Sequence, residues 1–436
     1  GKICICTVTN ASEVSVDIGG KYLADYLFTF HQREGDFGVE FVCENAVIND
    51  GDDAVRRYEL KFDKADLKEL AVSAEEIAEA EALVSDELKT ALQTAAANIR
   101  KFHEAQAREL PKIETYPGVV CYQKAVAIEK VGLYVPGGTA PLFSTVLMLA
   151  IPADIAGCKE IVLCTPPNAE GKVNPTILYA AKLSGVKKIF KIGGIQAIGA
   201  MAYGTESVPK VYKIFGPGNQ FVMAAKQLVS IKDAAIDMPA GPSEVAVIAD
   251  NSADPDAVAA DMLSQAEHGK DSQSIVFTDS EEYAKEVEKA VIEQIKSSPR
   301  QEYILSSIEH SKIFVLNNMD EIIEMSNEYA PEHLIISCRN YKEVAEKVTN
   351  AGSVFMGYYT PESAGDYASG TNHTLPTSGY AKAYSGVNLD SYLKKITFQE
   401  ITKEGLEKLG PTIEIMAENE LLMAHKYAVS IRNVKK

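Results

Sequence analysis

From Lys130 onward the chain alternates short apolar segments with helical patterns, and this alternation limits the possible folds more than any other feature. The apolar segments are five to seven residues long and continuous, as strands are when helices cover both faces of a sheet. Such strands, separated by helices, are typical of βαβ units and parallel sheets. They are too many for one small sheet, so the sequence predicts two α/β domains. The predicted strands are VGLYV, EIVLC, KKIFKI, KVYKIFG, SEVAVIA, SIVFT, KIFVL, HLIIS and SVFMG.

The amino-terminal part has a different pattern. Residues 1–40 contain weak strand-like pieces without a motif, whereas residues 50–110 have a helical pattern. Ser73-Ala-Glu-Glu76 has the spacing of a capping box, and a long run rich in Ala, Glu and Leu follows it and ends before Pro111. We predict scaffold helices here, without cofactor chemistry.

Composition excludes several classes of partner. With 436 residues, 46% of them hydrophobic and 24% charged, the chain has the make-up of a globular protein with large cores. A net charge of −18 argues against binding to nucleic acid or to an anionic membrane surface. The longest apolar run, Leu142 to Ala153, is too short to span a bilayer, and no signal-peptide pattern opens the chain. The seven scattered cysteines do not suggest a disulfide framework and fit a reducing cytoplasm.

Three glycine-rich turns follow predicted strands, each where a strand meets a helix. They are Pro136-Gly137-Gly138, Gly193-Gly194 and Gly216-Pro217-Gly218-Asn219. At such a junction, backbone N–H groups and the helix dipole can hold a phosphate. None has the G-x-G-x-x-G spacing, and a single βα turn favours glycine for other reasons. Three together favour nucleotide binding with a non-standard grip.

A polar stretch, Pro361–Pro376, is poor in core residues and shows neither helical nor strand periodicity. Gly365 and Gly370 permit backbone angles closed to other residues, so we predict a structured loop. Taken alone, the loop is either a solvated linker or the floor of a site. Its ionisable and amide side chains are Glu362, Asp366, Asn372 and His373.

A histidine and a glutamine share the end of one predicted helix. Asp254-Pro255 predicts the start of this helix and Gly269 its stop. Gln265 and His268 then lie three residues apart on one face of the last turn, which lets both reach one metal ion. Histidine with an amide or carboxylate oxygen suits zinc, whereas a capping histidine is the alternative explanation.

Two further histidines have acidic neighbours. Glu332-His333 precedes the predicted strand LIIS, where a Glu beside a His can serve as an acid–base pair. His425 lies in a predicted amphipathic C-terminal helix and follows Glu420 by five residues. An ideal helix places these two about 140° apart, so they can flank one pocket without sharing a narrow face. Taken alone, His425 is explained as an interface or core residue.

Six segments resemble those of the histidinol dehydrogenase family. The similarity runs in order from about Asp50 to Arg432, and the motifs are long and specific. Residues 1–40 depart from what we expect of the family's N-terminus. The segments are FGPGN (215–219), DMPAGPSEV (237–245), SQAEHG (264–269), PEHLI (331–335), ESAGDYASGTNHTLPT (362–377) and AHKYAVSIR (424–432).

The resemblance implies a zinc- and NAD-dependent enzyme that oxidises L-histidinol to L-histidine through the aldehyde, at the last step of histidine biosynthesis. It implies an α/β fold with two incomplete Rossmann-like domains, parallel sheets and small N- and C-terminal segments, in a cytoplasmic homodimer. The expected parts are an N-terminal segment (1–40), a first Rossmann-like domain with the zinc and catalytic residues (41–133 and 244–386), a second one for NAD (134–243) and a C-terminal helical tail on the partner subunit (387–436).

Matching motifs also imply residue roles, with one zinc ion in each subunit. The implied metal ligands are Gln265, His268, Asp366 and His425. The implied catalytic pair is Glu332 and His333. The implied substrate contacts are Ser243, Gln265, His268, His333, Asp366, His373, Glu420 and His425. The implied NAD contacts are Tyr134, Gln196 and Asn219. Glu420 and His425 are expected to complete the site of the partner subunit.

The implied chemistry suits these groups. Histidinol has an amine and an imidazole, both good zinc ligands, so zinc would orient the alcohol carbon toward the nicotinamide. We expect His333 to remove the alcohol proton as hydride leaves, and Glu332 to help water add to the aldehyde before a second NAD⁺ takes the second hydride. A thiohemiacetal on Cys158 is an alternative route for the second oxidation, although the position of Cys158 suggests a structural role.

Three other functions would account for part of these sequence features. A zinc- and NAD-dependent dehydrogenase of the same superfamily could act on another polar alcohol, but Ser243, His373 and Glu420 match the histidinol-binding set. A catalytically inactive nucleotide-binding or scaffold protein would not need the complete set of metal ligands. A zinc hydrolase would leave the three glycine-rich turns without a purpose.

Overall fold

The computed structural model describes residues 4–7, 37–137 and 140–434, so most of the expected N-terminal segment and Gly138 of the first glycine-rich turn lie outside it. The strands in chain order are β1 (Cys4–Thr7), β2 (Ile113–Tyr116), β3 (Val119–Ala127), β4 (Lys130–Tyr134), β5 (Glu160–Thr165), β6 (Lys188–Lys191), β7 (Lys213–Phe215), β8 (Ala235–Ile236), β9 (Glu244–Ala249), β10 (Gln273–Thr278), β11 (Lys312–Val315), β12 (His333–Ser337), β13 (Ser353–Met356) and β14 (Leu393–Ile401). The α-helices are α1 (Phe37–Phe62), α2 (Ala74–Leu83), α3 (Asp86–Glu104), α4 (Phe143–Ala156), α5 (Pro175–Leu183), α6 (Gly194–Tyr203), α7 (Gln220–Ser230), α8 (Pro255–Ala266), α9 (Glu281–Ile295), α10 (Gln301–His310), α11 (Met319–Tyr329), α12 (Tyr341–Glu346), α13 (Glu362–Tyr367), α14 (Lys403–Asn419) and α15 (Met423–Val434).

Two parallel sheets form the frame of the molecule. The six-stranded sheet has the order β1-β11-β10-β9-β12-β13, and the five-stranded sheet has the order β6-β5-β4-β7-β8. Every strand pair within them is parallel. All nine apolar segments predicted from the sequence are strands of these two sheets, which confirms the α/β class.

Helices cover both faces of each sheet. On the five-stranded sheet, α2 to α5 share a core with Leu133, while α1, α6 and α7 share a core with Val162 on the opposite face. On the six-stranded sheet, α8 to α10 pack around Val247, and α11 and α12 pack around Ile248. Each fully buried aliphatic side chain contributes about 1.5–3 kcal/mol, so these four cores are the main source of stability.

Helices α1 to α3 belong to the cores of the five-stranded sheet. The expected division instead groups residues 41–133 with residues 244–386. The packing of these three helices does not indicate that grouping, so the domain boundaries stay a prediction.

Two predicted helix starts are confirmed. The Ser73 hydroxyl accepts a hydrogen bond from the Glu76 N–H, and the Glu76 carboxylate accepts one from the Ser73 N–H. Asp254 caps α8, with Pro255 in the first turn. The run that begins at Ser73 is not one helix, however, because Ser85 caps a second start and divides the run into α2 and α3.

Parts of the fold were not predicted. Helix α10 lies between α9 and β11, and strands β2, β3 and β14 form an antiparallel sheet of order β14-β3-β2. Strand β14 is solvent-exposed along nearly its whole length, so it lacks the continuous apolar pattern that marks the buried strands.

No disulfide bond joins the cysteines of the described residues, and Cys164 is buried in the five-stranded sheet. In the described part of the chain, no helix is both long and apolar enough to cross a membrane.

Candidate active site

An acidic cluster around one imidazole lies at the amino-terminal edge of the six-stranded sheet. His333 is the first residue of β12, Glu332 precedes it, and Glu244 begins the neighbouring strand β9. Because Val245 of β9 pairs with His333, the two parallel strands start at the same level and bring the three side chains together. All three are buried. The predicted pair Glu332-His333 therefore lies at the mouth of a parallel strand, as the sequence indicated.

The polar stretch 361–376 is not a loop throughout, because its first part forms the short helix α13. Glu362 and Asp366 are four residues apart, so they share one face of this helix, and both are buried. Six residues are too few to show a period in the sequence, which explains why the helix was missed.

The two glycines of this stretch have different roles. A Cβ on Gly365 would lie 2.6 Å from a ring carbon of Phe355, so Gly365 lets α13 pack closely on β13. The predicted unusual backbone angle is found only at Gly370, where φ is 111°.

His333 lies among the carboxyl groups. Its Nε2 is 3.4 Å from Oδ1 of Asp366, and its Nδ1 is 3.6 Å from Oε2 of Glu332 and 3.9 Å from Oε1 of Glu362. Nδ1 is also 3.2 Å from the carbonyl oxygen of Glu244, so we assign the proton to Nδ1 in the neutral ring. His333, Glu362 and Asp366 offer ligand atoms that all lie within 4.8 Å of one another.

Burial and charge act in opposite directions on these groups. Burial disfavours the charged form of His333, but Glu362, Glu332 and Asp366 outweigh it and raise the pKa of His333 well above its ordinary value. Burial, together with repulsion by neighbouring carboxylates, raises the pKa of Glu362 well above its ordinary value. Burial also opposes ionisation of Asp366, but contact with His333 prevails and lowers the pKa of Asp366. The pKa values of two acids on one helix face thus shift in opposite directions, which separates their chemical roles.

Glu332 is oriented by the main chain of β9. Its Oε2 accepts a hydrogen bond of 2.8 Å from the N–H of Glu244. The Glu244 side chain accepts from the N–H of Ser378 at 2.9 Å, and its other oxygen has no partner among the described residues. Burial and the charge of Glu332 raise the pKa of Glu244 to about 8, so Glu244 is largely neutral at pH 7 and repels Glu332 little.

Helix α8 brings the predicted metal-binding pair to the same place, because α13 packs against it. Gln265 is fully buried, and neither its Oε1 nor its Nε2 has a hydrogen-bond partner among the described residues. A buried amide without partners costs about 1–3 kcal/mol, so Gln265 is suited to a bound ligand. His268 follows the end of α8, is exposed in the single chain, and acts electrostatically on Asp366 and His373.

Two predicted substrate contacts lie beside this cluster. His373 Nδ1 is 2.9 Å from the carbonyl oxygen of Asp366, and His373 Nε2 is 3.1 Å from Oγ1 of Thr145 on α4. Because α4 packs on the five-stranded sheet, the contact between His373 and Thr145 connects that sheet's half of the molecule with the acidic cluster. Burial lowers the pKa of His373. Ser243 is half-buried and immediately precedes Glu244.

Glu420 and His425 are not brought to the cluster within this chain. The predicted single C-terminal helix is wrong, because α14 ends at Asn419, Leu421 adopts a left-handed φ of 60°, and α15 starts at Met423. The angle expected between Glu420 and His425 on one helix therefore does not apply. Both side chains are exposed, and α15 packs on α14.

The three predicted NAD contacts lie together at the carboxyl ends of strands in the five-stranded sheet. Tyr134 ends β4, Gln196 lies in the first turn of α6 after β6, and Asn219 caps α7 after β7. The second and third glycine-rich turns therefore occupy strand–helix junctions, as predicted, and the described part of the first, Pro136-Gly137, follows β4. At Gly216, φ is 128° and a Cβ would lie 2.0 Å from the Tyr134 carbonyl oxygen, so only glycine fits.

Gln196 and Asn219 differ in the groups they leave available. Asn219 Oδ1 accepts hydrogen bonds from the N–H groups of Phe221 and Val222, so that oxygen serves as a helix cap. Gln196 is 1% exposed, and its Oε1 has no partner among the described residues. Of these two residues, Gln196 is therefore the one whose buried side-chain oxygen is available to accept a hydrogen bond from a ligand.

Sequence reasoning did not assign Glu362 and Glu244 to the site, although both face His333 in it. The four-residue spacing of Glu362 and Asp366 was the available signal for the first. Glu244 directly follows Ser243, but its place beside Glu332 comes from strand pairing, which no local pattern reports.

Cys158 has the environment of a structural residue. It is half-buried and packs against the core that contains Val146 and Leu163. Burial raises the pKa of its thiol to about 12, which disfavours the nucleophilic thiolate.

Known proteins resemble this chain over nearly all of its described length. A family model described as "Histidinol dehydrogenase" matches residues 37–433. A histidinol dehydrogenase of Bacteroides thetaiotaomicron is 65% identical over 388 residues, which cover 89% of this chain and 91% of that protein. A histidinol dehydrogenase of Escherichia coli is 54% identical over 384 residues, 88% of each chain. The crystal structure of histidinol dehydrogenase from Elizabethkingia anophelis superposes with a TM-score of 0.93 at 51% identity and covers 99% of this chain and 98% of that one.

Proposed function

The chain belongs to the histidinol dehydrogenase family, and from this premise we propose how its residues oxidise L-histidinol to L-histidine. The observation that carries the proposal is the buried cluster of His333, Glu332, Glu362 and Asp366 beside the unpartnered amide of Gln265. A cluster this acidic and this buried suits a cationic amino alcohol better than a neutral one.

We propose that Gln265, His268, Asp366 and the partner's His425 hold one zinc ion. Gln265 and Asp366 each have a buried oxygen without a hydrogen-bond partner among the described residues, and these oxygens with two imidazoles make a donor set that zinc accepts. When bound, zinc would hold the amine and imidazole of histidinol and polarise its alcohol oxygen.

The positive charge of bound zinc would offset the carboxylates that raise the pKa of His333 and would favour its neutral ring. In the first oxidation, the alcohol proton then passes to Nε2 of His333 while the carbinol carbon gives its hydride to NAD⁺ and becomes an aldehyde. Among the described residues Nε2 is the ring nitrogen without a hydrogen-bond partner, whereas Nδ1 lies 3.2 Å from the Glu244 carbonyl oxygen. The aldehyde adds water, whose proton is accepted by Glu332, and the hydrate gives a second hydride to a second NAD⁺. Burial of the cluster keeps the aldehyde from side reactions.

We propose that NAD⁺ lies across the carboxyl ends of β4, β6 and β7, where Tyr134, Gln196 and Asn219 face it. The amino-terminal ends of α6 and α7 lie at these strand ends, and their helix dipoles favour the negative charge of its phosphates. Thr145 and His373 connect this half of the molecule with the acidic cluster, so both substrates can meet between the two sheets.

The yield of NADH per histidinol tests the proposed reaction. We expect two NADH for each histidinol consumed, with histidine as the product. One NADH with accumulation of the aldehyde would limit the activity to alcohol oxidation. No NADH would contradict the proposed use of NAD⁺.

We propose a homodimer in which Glu420 and His425 enter the partner's site. Both side chains are exposed, and they lie among exposed apolar side chains. Leu421 is 84% exposed, Tyr427 63% and Met416 61%, an apolar surface of the kind that protein interfaces cover. A cytoplasmic location stays a prediction.

Mixing two inactive variants tests the sharing of the site. Subunits with His425→Ala and subunits with Glu332→Ala should regain about a quarter of the parental activity after full exchange, because half of the dimers are mixed and each has one intact site. Each variant mixed with itself is the control. Absence of recovery, with exchange shown by two affinity tags, would place both residues in one chain's site.

A further inference from the structure

Helix α1 places a buried carboxyl group beneath the glycine-rich turn that follows β6. Glu59 has no solvent exposure, and its Oε1 accepts hydrogen bonds from the Gly193 N–H at 2.9 Å and from Gln196 Nε2 at 2.7 Å. One oxygen therefore fastens both the main chain of the turn and the side chain that follows it. Its other oxygen has no partner among the described residues.

These contacts fix which way the Gln196 amide points. With Nε2 bound to Glu59, Oε1 is left without a hydrogen-bond partner among the described residues. A Cβ on Gly194 would lie 3.0 Å from this oxygen, so the lack of a side chain at position 194 keeps Oε1 accessible to a ligand. The Gly194 N–H in turn donates to the hydroxyl of Tyr134 at 3.0 Å, which ties the turn to the end of β4.

We propose that Glu59 is a positioning residue for the dinucleotide. It holds the Gly193–Gly194 turn and the Gln196 carboxamide so that Oε1 of Gln196 accepts a hydrogen bond from a hydroxyl or amide N–H of NAD⁺. The inference rests on the proposed nucleotide site, and it adds a residue that does not itself touch the cofactor.

The surroundings of Glu59 suit this role. Burial, with the nearby charge of Asp63, raises the pKa of Glu59 to about 7. The proton of the neutral form can sit on the oxygen that has no partner, while Oε1 keeps both hydrogen bonds. Holding the turn therefore does not require a buried charge, and glutamine can replace Glu59 without loss of the acceptor.

The test is steady-state kinetics of three variants with NAD⁺ and histidinol. Glu59→Met removes the acceptor, and we expect the KM for NAD⁺ to rise about tenfold while the KM for histidinol stays at the parental value. Glu59→Gln should keep the parental KM for NAD⁺. Glu59→Asp keeps a carboxyl group but shortens the side chain, which moves the carboxyl group away from Gln196. It should therefore also raise the KM for NAD⁺. This variant provides the test if Glu59→Met does not fold.

A second acid on the same helix is a matched control. Asp52 is also buried and accepts hydrogen bonds from Thr205 and Ser207 beyond the far end of α6. Asp52→Asn should lower thermal stability and leave the KM for NAD⁺ unchanged. If it raises that KM as much as Glu59→Met does, the effect of Glu59 is one of general stability and the proposal is wrong.

The Gln196→Met variant separates failure of the inference from failure of the site. If Gln196→Met raises the KM for NAD⁺ but Glu59→Met and Glu59→Asp do not, the site stands and the role of Glu59 is overturned. If Gln196→Met leaves that KM unchanged, the proposed nucleotide site is itself misplaced. A calorimetric titration with NAD⁺ alone should show the same order of affinities.

Discussion

Replacing His333 by glutamine is expected to lower kcat by about 10²–10⁴-fold, the usual contribution of a positioned general base. Glutamine is close in size and can still donate to the Glu244 carbonyl, so the packing around β12 should be kept. Its amide cannot take up the alcohol proton, however, and this is the function assigned to Nε2. Steady-state and single-turnover kinetics with histidinol measure the effect.

His103 provides the control for this prediction. It is fully buried in α3, where its Nδ1 lies 2.8 Å from the Ile99 carbonyl oxygen and its Nε2 lies 3.5 Å from Nδ2 of Asn372, and it is not among the groups that surround His333. His103→Gln should change thermal stability more than kcat. A His333→Gln enzyme with a kcat within a few-fold of the parent would exclude His333 as the base.

Replacing Asp366 by asparagine is expected to weaken zinc binding by about a hundredfold or more, since altering even an outer-shell partner of a metal ligand typically costs about 10–100-fold. The change removes the charge that helps hold the dication and keeps the shape of α13. Zinc content after dialysis should fall well below one ion per subunit, with a parallel loss of activity. Metal analysis and activity before and after added zinc provide the measurement.

Asp261 is the matched control for this second prediction. It lies one turn before Gln265 on α8, and burial raises its pKa to about 7, but it is not among the proposed ligands. Asp261→Asn should keep its zinc. Full zinc content together with a full rate in Asp366→Asn would remove Asp366 from the metal site and, with it, the reason for a carboxylate on α13.

Local patterns were sufficient where one element carries the information. The nine predicted strands, the caps at Ser73 and Asp254, and two of the strand–helix glycine turns were all indicated by patterns of residues near in sequence. Local patterns did not reveal α13, because this helix is too short to show a period. They also gave one helix at the C-terminus, where the left-handed conformation of Leu421 divides one amphipathic run into two helices.

The sequence by itself determined the α/β class and the chemical types available: histidines with acidic neighbours, a Gln–His pair, and glycines at the ends of strands. Its resemblance to a family supplied the roles. Only the tertiary structure decided that Glu244 meets Glu332, that Glu362 joins Asp366 around His333, and that Glu59 holds Gln196. The hydrogen-bonded residues Glu244 and Glu332 are 88 positions apart in the sequence, and Glu59 and Gln196 are 137 positions apart. Their contacts arise from strand pairing and helix packing, which no local periodicity records.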